Sequence, residues 1–313
     1  MIELRRAVRF AVPLAPPRDP GSSSAPIGID PPKADTNGYA GVPAMHALGA
    51  HYELLVACRG TPDPATGYFM DIKLIDRAVR AHAVPRIAAA VHAVAHPGPN
   101  SAAPHDPADV LATIIAPLNQ ALHGTLAWAR WMLTPTYGVQ MSVSPNAASP
   151  VAAIISQRFE IAAAHRLHTP SLTDEQNRAF FGKCNNPSGH GHNYIIEPRV
   201  RVPVGPAAST TSASTSASSS VPTVPRFGLA QLEHAVDAAI IQPFDHKHLN
   251  LDTPEFGPDG LNPSVENISM VFFRRLAPVI AAASAGTAAL QSITVFETEK
   301  TSSTYPADTA AAH

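Results

Sequence analysis

Two histidines, His190 and His192, stand two positions apart in Gly189-His190-Gly191-His192-Asn193-Tyr194, a segment that runs into a stretch of strand character. In a strand that spacing sends both imidazoles to the same face. A third imidazole from a neighbouring strand would complete the three-His set that Zn²⁺ takes when it keeps a coordination position open for catalysis. His165, just past a strand expected at 154–162, is the candidate, because adjacent antiparallel strands bring their ends together. His168 falls further into the loop and is expected to face solvent. Gly189 and Gly191 would let the backbone turn tightly around an ion. Cys184 lies in the same stretch, and with the three imidazoles it could instead make a closed, structural site with the sulfur as an inert ligand. Spacing leaves both readings open.

A second cluster, Asp245-His246-Lys247-His248-Leu249-Asn250, follows an expected helix. An aspartate beside a histidine can orient and polarise the ring, and that ring can draw a proton from a thiol. A third, Ser264-Val265-Glu266-Asn267, opens the next helix, where Ser264 or Asn262 would satisfy free backbone N–H groups. Glu297 ends a strand, a place where ligand-contacting groups often lie.

The elements that must position these groups are legible from periodicity. Residues 154–162 and 193–204 carry β-branched residues with partial alternation, and 291–297 alternate more strictly. Over 228–241, Leu229, Leu232, Val236, Ala239 and Ile240 form one stripe, and over 265–280 Ile268, Val271, Phe272 and Leu276 form another. The order is strand, strand, helix, helix, strand, strand. The first half repeats it more weakly: strands at 3–12 and 51–59, helices at 70–82 and 107–122, strands near 126–133 and 138–144. Asp106 is a plausible N-cap with Pro107 behind it. The matching order suggests an internal duplication of a whole domain.

Composition bounds the rest. The 313 residues, 45% hydrophobic and 15% charged, suffice for two domains with real cores. A formal net charge of −2 argues against a nucleic-acid binder that works by neutralising phosphates. No run of about 18 apolar residues is present, so no membrane span is expected. The start reads as a strand followed by a loop rather than a secretion signal. Cys58 and Cys184 cannot form a disulfide framework and fit a reducing, cytoplasmic location. Residues 13–37 are expected to be a surface loop and 205–225, a Ser/Thr/Ala tract between prolines, a disordered insertion.

Residues 158–194 resemble the 6-pyruvoyl-tetrahydropterin synthase family, in which a strand ending in Ala-His-Arg-Leu precedes Gly-Lys-Cys-Asn-Asn-Pro-x-Gly-His-Gly-His-Asn-Tyr. That second motif stands here as Gly182 to Tyr194. The family's Leu-Asp-His-Lys-Asn-Leu-Asp is matched by Phe244 to Asn250, its Thr-x-Glu-Asn by Ser264 to Asn267, and its Tyr-Glu-Thr by Phe296-Glu297-Thr298. The four motifs keep their order, so the match is specific.

The resemblance implies a zinc-dependent carbon–oxygen lyase acting on 7,8-dihydroneopterin triphosphate, with Mg²⁺ accompanying the triphosphate. His165, His190 and His192 would hold Zn²⁺, Cys184 would be the proton-transferring thiolate, and Asp245 with His246 would complete its relay. Glu297 would anchor the pterin ring, assisted by Glu266. A metal on the side-chain hydroxyls would acidify the adjacent C–H bonds, and a thiol near 8.5 unperturbed can be lowered into range as a base. A carboxylate can accept two parallel N–H bonds from the ring. The implied fold is α+β, two tandem tunnelling-fold (T-fold) domains, each a four-stranded antiparallel sheet with two helices on one face, in homo-oligomers that close barrels and place active sites between subunits. The rival product is that of 6-carboxytetrahydropterin synthase of queuosine biosynthesis. The spacing from Cys184 to His190 favours the pyruvoyl branch. A catalytically silent zinc- or pterin-binding scaffold is the third reading.

Two departures stand out: Asn250 replaces the usual aspartate, with Asp252 following, and the Ser/Thr tract replaces a short turn. The first half is a degenerate copy. Gly49-Ala50-His51-Tyr52 aligns with Gly191 to Tyr194, which puts Leu48 and Ala50 at the ligand positions and Leu133-Thr134 at the place of Glu297-Thr298. Residues 1–149 are therefore expected to be non-catalytic, with His46 and His51 as surface or packing residues, and 150–313 to carry the chemistry.

Overall fold

The computed structural model describes residues 1–14, 48–97, 106–143, 152–205 and 226–307. Residues 15–37 and 206–225, nearly all of the stretches 13–37 and 205–225 for which loop and insertion are expected, lie outside them, as does His46. The chain divides into two compact units, Met1–Ala153 and Ile154–His313.

In the first unit, β1 (Ile2–Pro13), β2 (Gly49–Gly60), β3 (Leu126–Met132) and β4 (Tyr137–Ser142) pair in sequence order, each antiparallel to the next. Strand alternation buries Val8, Phe10, Leu54, Val56, Ala129, Trp131, Val139 and Met141. Between β2 and β3 run α1 (Ile72–His82), α2 (Val84–Ala95) and α3 (Pro107–Ala121). Asp71 caps α1 and Asp106 caps α3, each side chain accepting a backbone N–H two residues on. The expectation of two helices per domain is corrected here to three. The unforeseen α2 starts with Pro85 in its first turn, where a missing N–H costs nothing, so the proline opens a helix instead of breaking one.

The second unit opens with β5 (Ala152–Gln157) and β6 (Phe159–His165), then α4 (Asp174–Phe181), a 3₁₀ turn (Gly182–Asn185) and the long β7 (His190–Pro203). α5 (Leu229–Val236) passes through one π turn (Asp237–Ile241) into α6 (Gln242–Phe244), a continuous helical run ending just before Asp245. The two-residue β8 (Lys247–His248), α7 (Leu249–Asp252), α8 (Val265–Ala283), β9 (Ala289–Thr298) and β10 (Thr301–Tyr305) complete it. Strands β10, β9, β7 and β6 pair antiparallel in that order, while β8 lies parallel on the far side of β6. A wholly antiparallel four-stranded sheet is thus corrected by one short parallel strand.

The unit is α+β, with its core between the sheet and the stripes read from sequence. Leu232, Val236, Ile240, Ile268, Phe272 and Leu276 are buried with Ile161, Tyr194, Ile196 and Val295 of the strands. α8 is tied to β10 by Ser269 and Ser303, their hydroxyls 2.9 Å apart. No helix among the described residues is long and apolar enough to cross a membrane.

Candidate active site

Register decides which side chains meet. Pairing of β6 with β7 sets Ile161 opposite Tyr194, Ala163 opposite His192 and His165 opposite His190. Period-two alternation then turns His165, His190, His192 and Tyr194 to one face at the end of the sheet. The ring centroids of His165 lie 4.5 Å from His190 and 5.3 Å from His192, and those of His190 and His192 lie 4.8 Å apart. One ring nitrogen of each falls within 4.8 Å of the others. All three Nε2 atoms are buried without a hydrogen-bond partner, a costly arrangement unless an ion collects them.

His165 is fully buried, and burial, aided by the neighbouring imidazoles, holds its pKa down to about 4. The ring is neutral at pH 7, as a ligand must be. Its Nδ1 is 2.7 Å from the Pro263 carbonyl just before α8, a contact that fixes the tautomer and leaves the Nε2 lone pair facing its neighbours. Burial also lowers His190. Three imidazoles with converging, unpartnered ring nitrogens fit a divalent metal ion.

Glu297 lies beside the imidazole cluster. Its Oε1 is 3.5 Å from Nε2 of His165 and 3.6 Å from Nε2 of His192. Tyr194 is buried with its hydroxyl 3.4 Å from Nδ1 of His165, and burial, reinforced by Glu297 and Cys184, raises its pKa. Glu266 is exposed in the first turn of α8, whose N-cap is Ser264.

Cys184 is half-buried in the 3₁₀ turn just beyond β6, its carbonyl accepting the N–H of Leu167 at 2.8 Å. Its sulfur does not join the cluster of ring nitrogens, which removes the observation a four-ligand structural site would need. The buried Asn185 holds the turn, donating to the Leu167 carbonyl at 2.7 Å and lying 3.1 Å from Nδ1 of His168. His168 is therefore half-buried and bonded; its expected solvent-facing position is corrected, the partner being a side chain distant in sequence.

Asp245 and His246 form a dyad 2.8 Å apart. The aspartate also accepts the Ala162 N–H at 2.8 Å, and these bonds hold its carboxyl below the usual range. His246 has a positive φ of 55° and projects outward, its side chain 82% exposed. The dyad attaches to β6 at Ala162, whereas Cys184 attaches at Leu167. The two attachment points are five residues apart along the chain.

Sequence reasoning missed two supports. Asn250 bonds both backbone groups of Arg166. His248 lies against Gly189, with its Nδ1 buried and unpartnered. Both stand in the motif read from sequence, but only the parallel pairing of β8 shows what they touch. In the first unit Leu48 is 84% exposed, His51 is exposed, and the cluster of ring nitrogens found among the described residues belongs to the second unit alone.

Comparison with known proteins follows the same division. A profile of the 6-pyruvoyl tetrahydropterin synthase family matches residues 154–308. The chain is similar to the human 6-pyruvoyl tetrahydrobiopterin synthase, 35% identical over 126 residues, which span 40% of this chain and 75% of that protein. It is 32% identical to the Poecilia reticulata protein of the same name over 128 residues, 41% of this chain and 76% of that one. Among solved structures, the Caenorhabditis elegans 6-pyruvoyl tetrahydropterin synthase aligns at 29% identity and a TM-score of 0.38, covering 49% of this chain and 94% of that one.

Proposed function

Because the chain belongs to the 6-pyruvoyl tetrahydropterin synthase family, a family of lyases, we propose that its second unit converts 7,8-dihydroneopterin triphosphate to 6-pyruvoyl-tetrahydropterin with loss of triphosphate. The observation that carries this reading is the convergence of three unpartnered Nε2 atoms beside Glu297, with Cys184 close by but outside the cluster. His165, His190 and His192 would hold a zinc ion, which would supply Lewis acidity toward the two side-chain hydroxyls of the substrate.

Cys184 takes the proton from carbon. Glu297 anchors the pterin ring, its carboxylate accepting two parallel N–H bonds, and Glu266 assists there. Elimination followed by internal redox tautomerisation balances without an organic cofactor.

His246, oriented by Asp245, completes the relay of Cys184, in active sites that lie between copies of the chain. The protein is accordingly a homo-oligomer. The first unit, which lacks the ligand set, is a second T-fold domain that completes the barrel without catalysing. A reducing cytoplasm keeps Cys184 as a thiol.

The test is anaerobic incubation of the purified chain with dihydroneopterin triphosphate and Mg²⁺, with products identified by mass. The pyruvoyl product is expected. A carboxy product with acetaldehyde, or no turnover by zinc-loaded protein, would overturn the reading.

A further inference from the structure

Arg178, Gly182, Lys183, Cys184, Asn185, Asn186, Pro187 and His190 enclose a depression of about 550 Å³ on the second unit. It shares His190 with the ligand cluster and Cys184 with the proposed chemistry. We propose that this depression receives the polyphosphate chain of the substrate, with Arg178 and Lys183 as the residues that select it. The inference rests on the functional reading above and extends it to the leaving group.

The geometry follows from the substrate. Its triphosphate hangs from the carbon next to the diol, so a diol held at the histidines and passing Cys184 has the phosphates leaving alongside that residue. Cys184 and His190, which stand on that path, also line the depression. None of its lining residues is acidic, and two of them carry positive charge.

Both cations stand on fixed supports. Arg178 belongs to α4, which Thr173 and Gln176 close with a reciprocal capping box, and its carbonyl accepts the Gly182 N–H. Asn177, fully buried beside it, donates to the carbonyls of Thr169, Leu172 and Thr173. Lys183 sits in the 3₁₀ turn, its carbonyl accepting the Asn186 N–H.

The competing partner of Arg178 is Glu175 at 3.1 Å, with side chains 62% and 79% exposed. An exposed pair of this kind is held weakly. A phosphate offers the guanidinium a stronger, bidentate partner. The other depression, lined by Ala162, Ala163, Ala164, His192, His246 and Lys247 among others, has a single lysine over a floor of alanines and suits a polyanion less.

The test is calorimetric titration of the full chain, metal-free and zinc-loaded, with inorganic triphosphate. Arg178→Ala and Lys183→Ala should each weaken binding about tenfold, the loss of one charge-assisted contact. Arg178→Lys should restore part of it. Arg274→Ala, which removes an exposed charge on α8, should bind as the unaltered chain does and so controls for bulk charge. In turnover, KM for the triphosphate substrate should rise by a similar factor in the two alanine variants, with kcat changed less. Unaltered triphosphate binding in both variants, or no binding by the unaltered chain, overturns the proposal even where turnover is normal. Loss of triphosphate binding confined to Arg178 and Lys183 variants supports it even where the pyruvoyl product is never formed, which would remove the functional reading alone.

Discussion

Asn250 grips the backbone of Arg166 from both sides: its Oδ1 accepts the N–H at 2.8 Å and its Nδ2 donates to the C=O at 3.1 Å. That paired bond extends the edge of β6 past its last ladder residue and seats the segment leading to Cys184. A carboxylate can accept but cannot donate, so the amide suits this place better than the aspartate usual in the family motif. Asn250→Asp should lower stability by about 1–3 kcal/mol at pH 7, the cost of an unsatisfied carbonyl facing a negative oxygen. Protonation restores the donor, so the deficit should shrink as pH falls through the carboxyl pKa. Urea midpoints at two pH values check this, and an equal deficit at both would refute it.

The fold was legible where periodicity was long and one-sided, as in the Leu229–Ile240 and Ile268–Leu276 stripes and in the strands that flank them. It was illegible at α2, where a proline normally read as a breaker opens the helix, and at β8, where two residues make a strand only because β6 is already there. The ligand set was legible because His-x-His on a strand fixes its own geometry. The closeness of Glu297 to that cluster was not, since the pairing of β9 with β7 is what brings its carboxylate against the imidazoles.

Gly189 combines two demands. Its φ is +71°, and a Cβ there would lie 2.5 Å from Nε2 of His248 and 3.0 Å from the His165 carbonyl. Gly189→Ala should therefore cost about 2 kcal/mol or more, left-handed backbone alone accounting for roughly 1–2. It should also weaken metal binding by displacing His190. Adding His248→Ala relieves the ring contact but not the backbone, so a double-mutant cycle should recover only part of the loss. Full recovery would show that φ is unimportant, and none would exclude the ring contact.

The buried imidazole of His165 gives the metal-free protein a pH signature. Its pKa is near 4 in the folded chain against 6.5 when unperturbed, so between those values the unfolded state binds more protons. Stability must then rise with pH across that window, being fully present above about 6.5 and lost as pH falls toward 4. The span corresponds to about 3 kcal/mol at roughly 1.4 kcal/mol per unit. Guanidinium midpoints of chelated protein at pH 7 and pH 4.5 should show the fall, and His165→Gln should flatten it. A slope unchanged by that substitution would place the titration elsewhere.

His246 attaches to Ala162 of β6 and Cys184 to Leu167, two residues past its end, and a relay shared between copies of the chain makes a prediction. Cys184→Ala should retain one metal per chain, because its sulfur stands outside the ligand cluster, yet lose turnover. His246→Ala should also lose turnover with metal intact. Each variant keeps what the other lacks, so co-expression with distinguishable tags, followed by isolation of mixed oligomers, should restore sites in which one copy gives the thiol and the other the imidazole. Recovery of a substantial fraction of the unaltered activity in the mixed species, and none in either parent, is the expected outcome. Mixed oligomers that stay inactive would mean that the relay is not shared between copies.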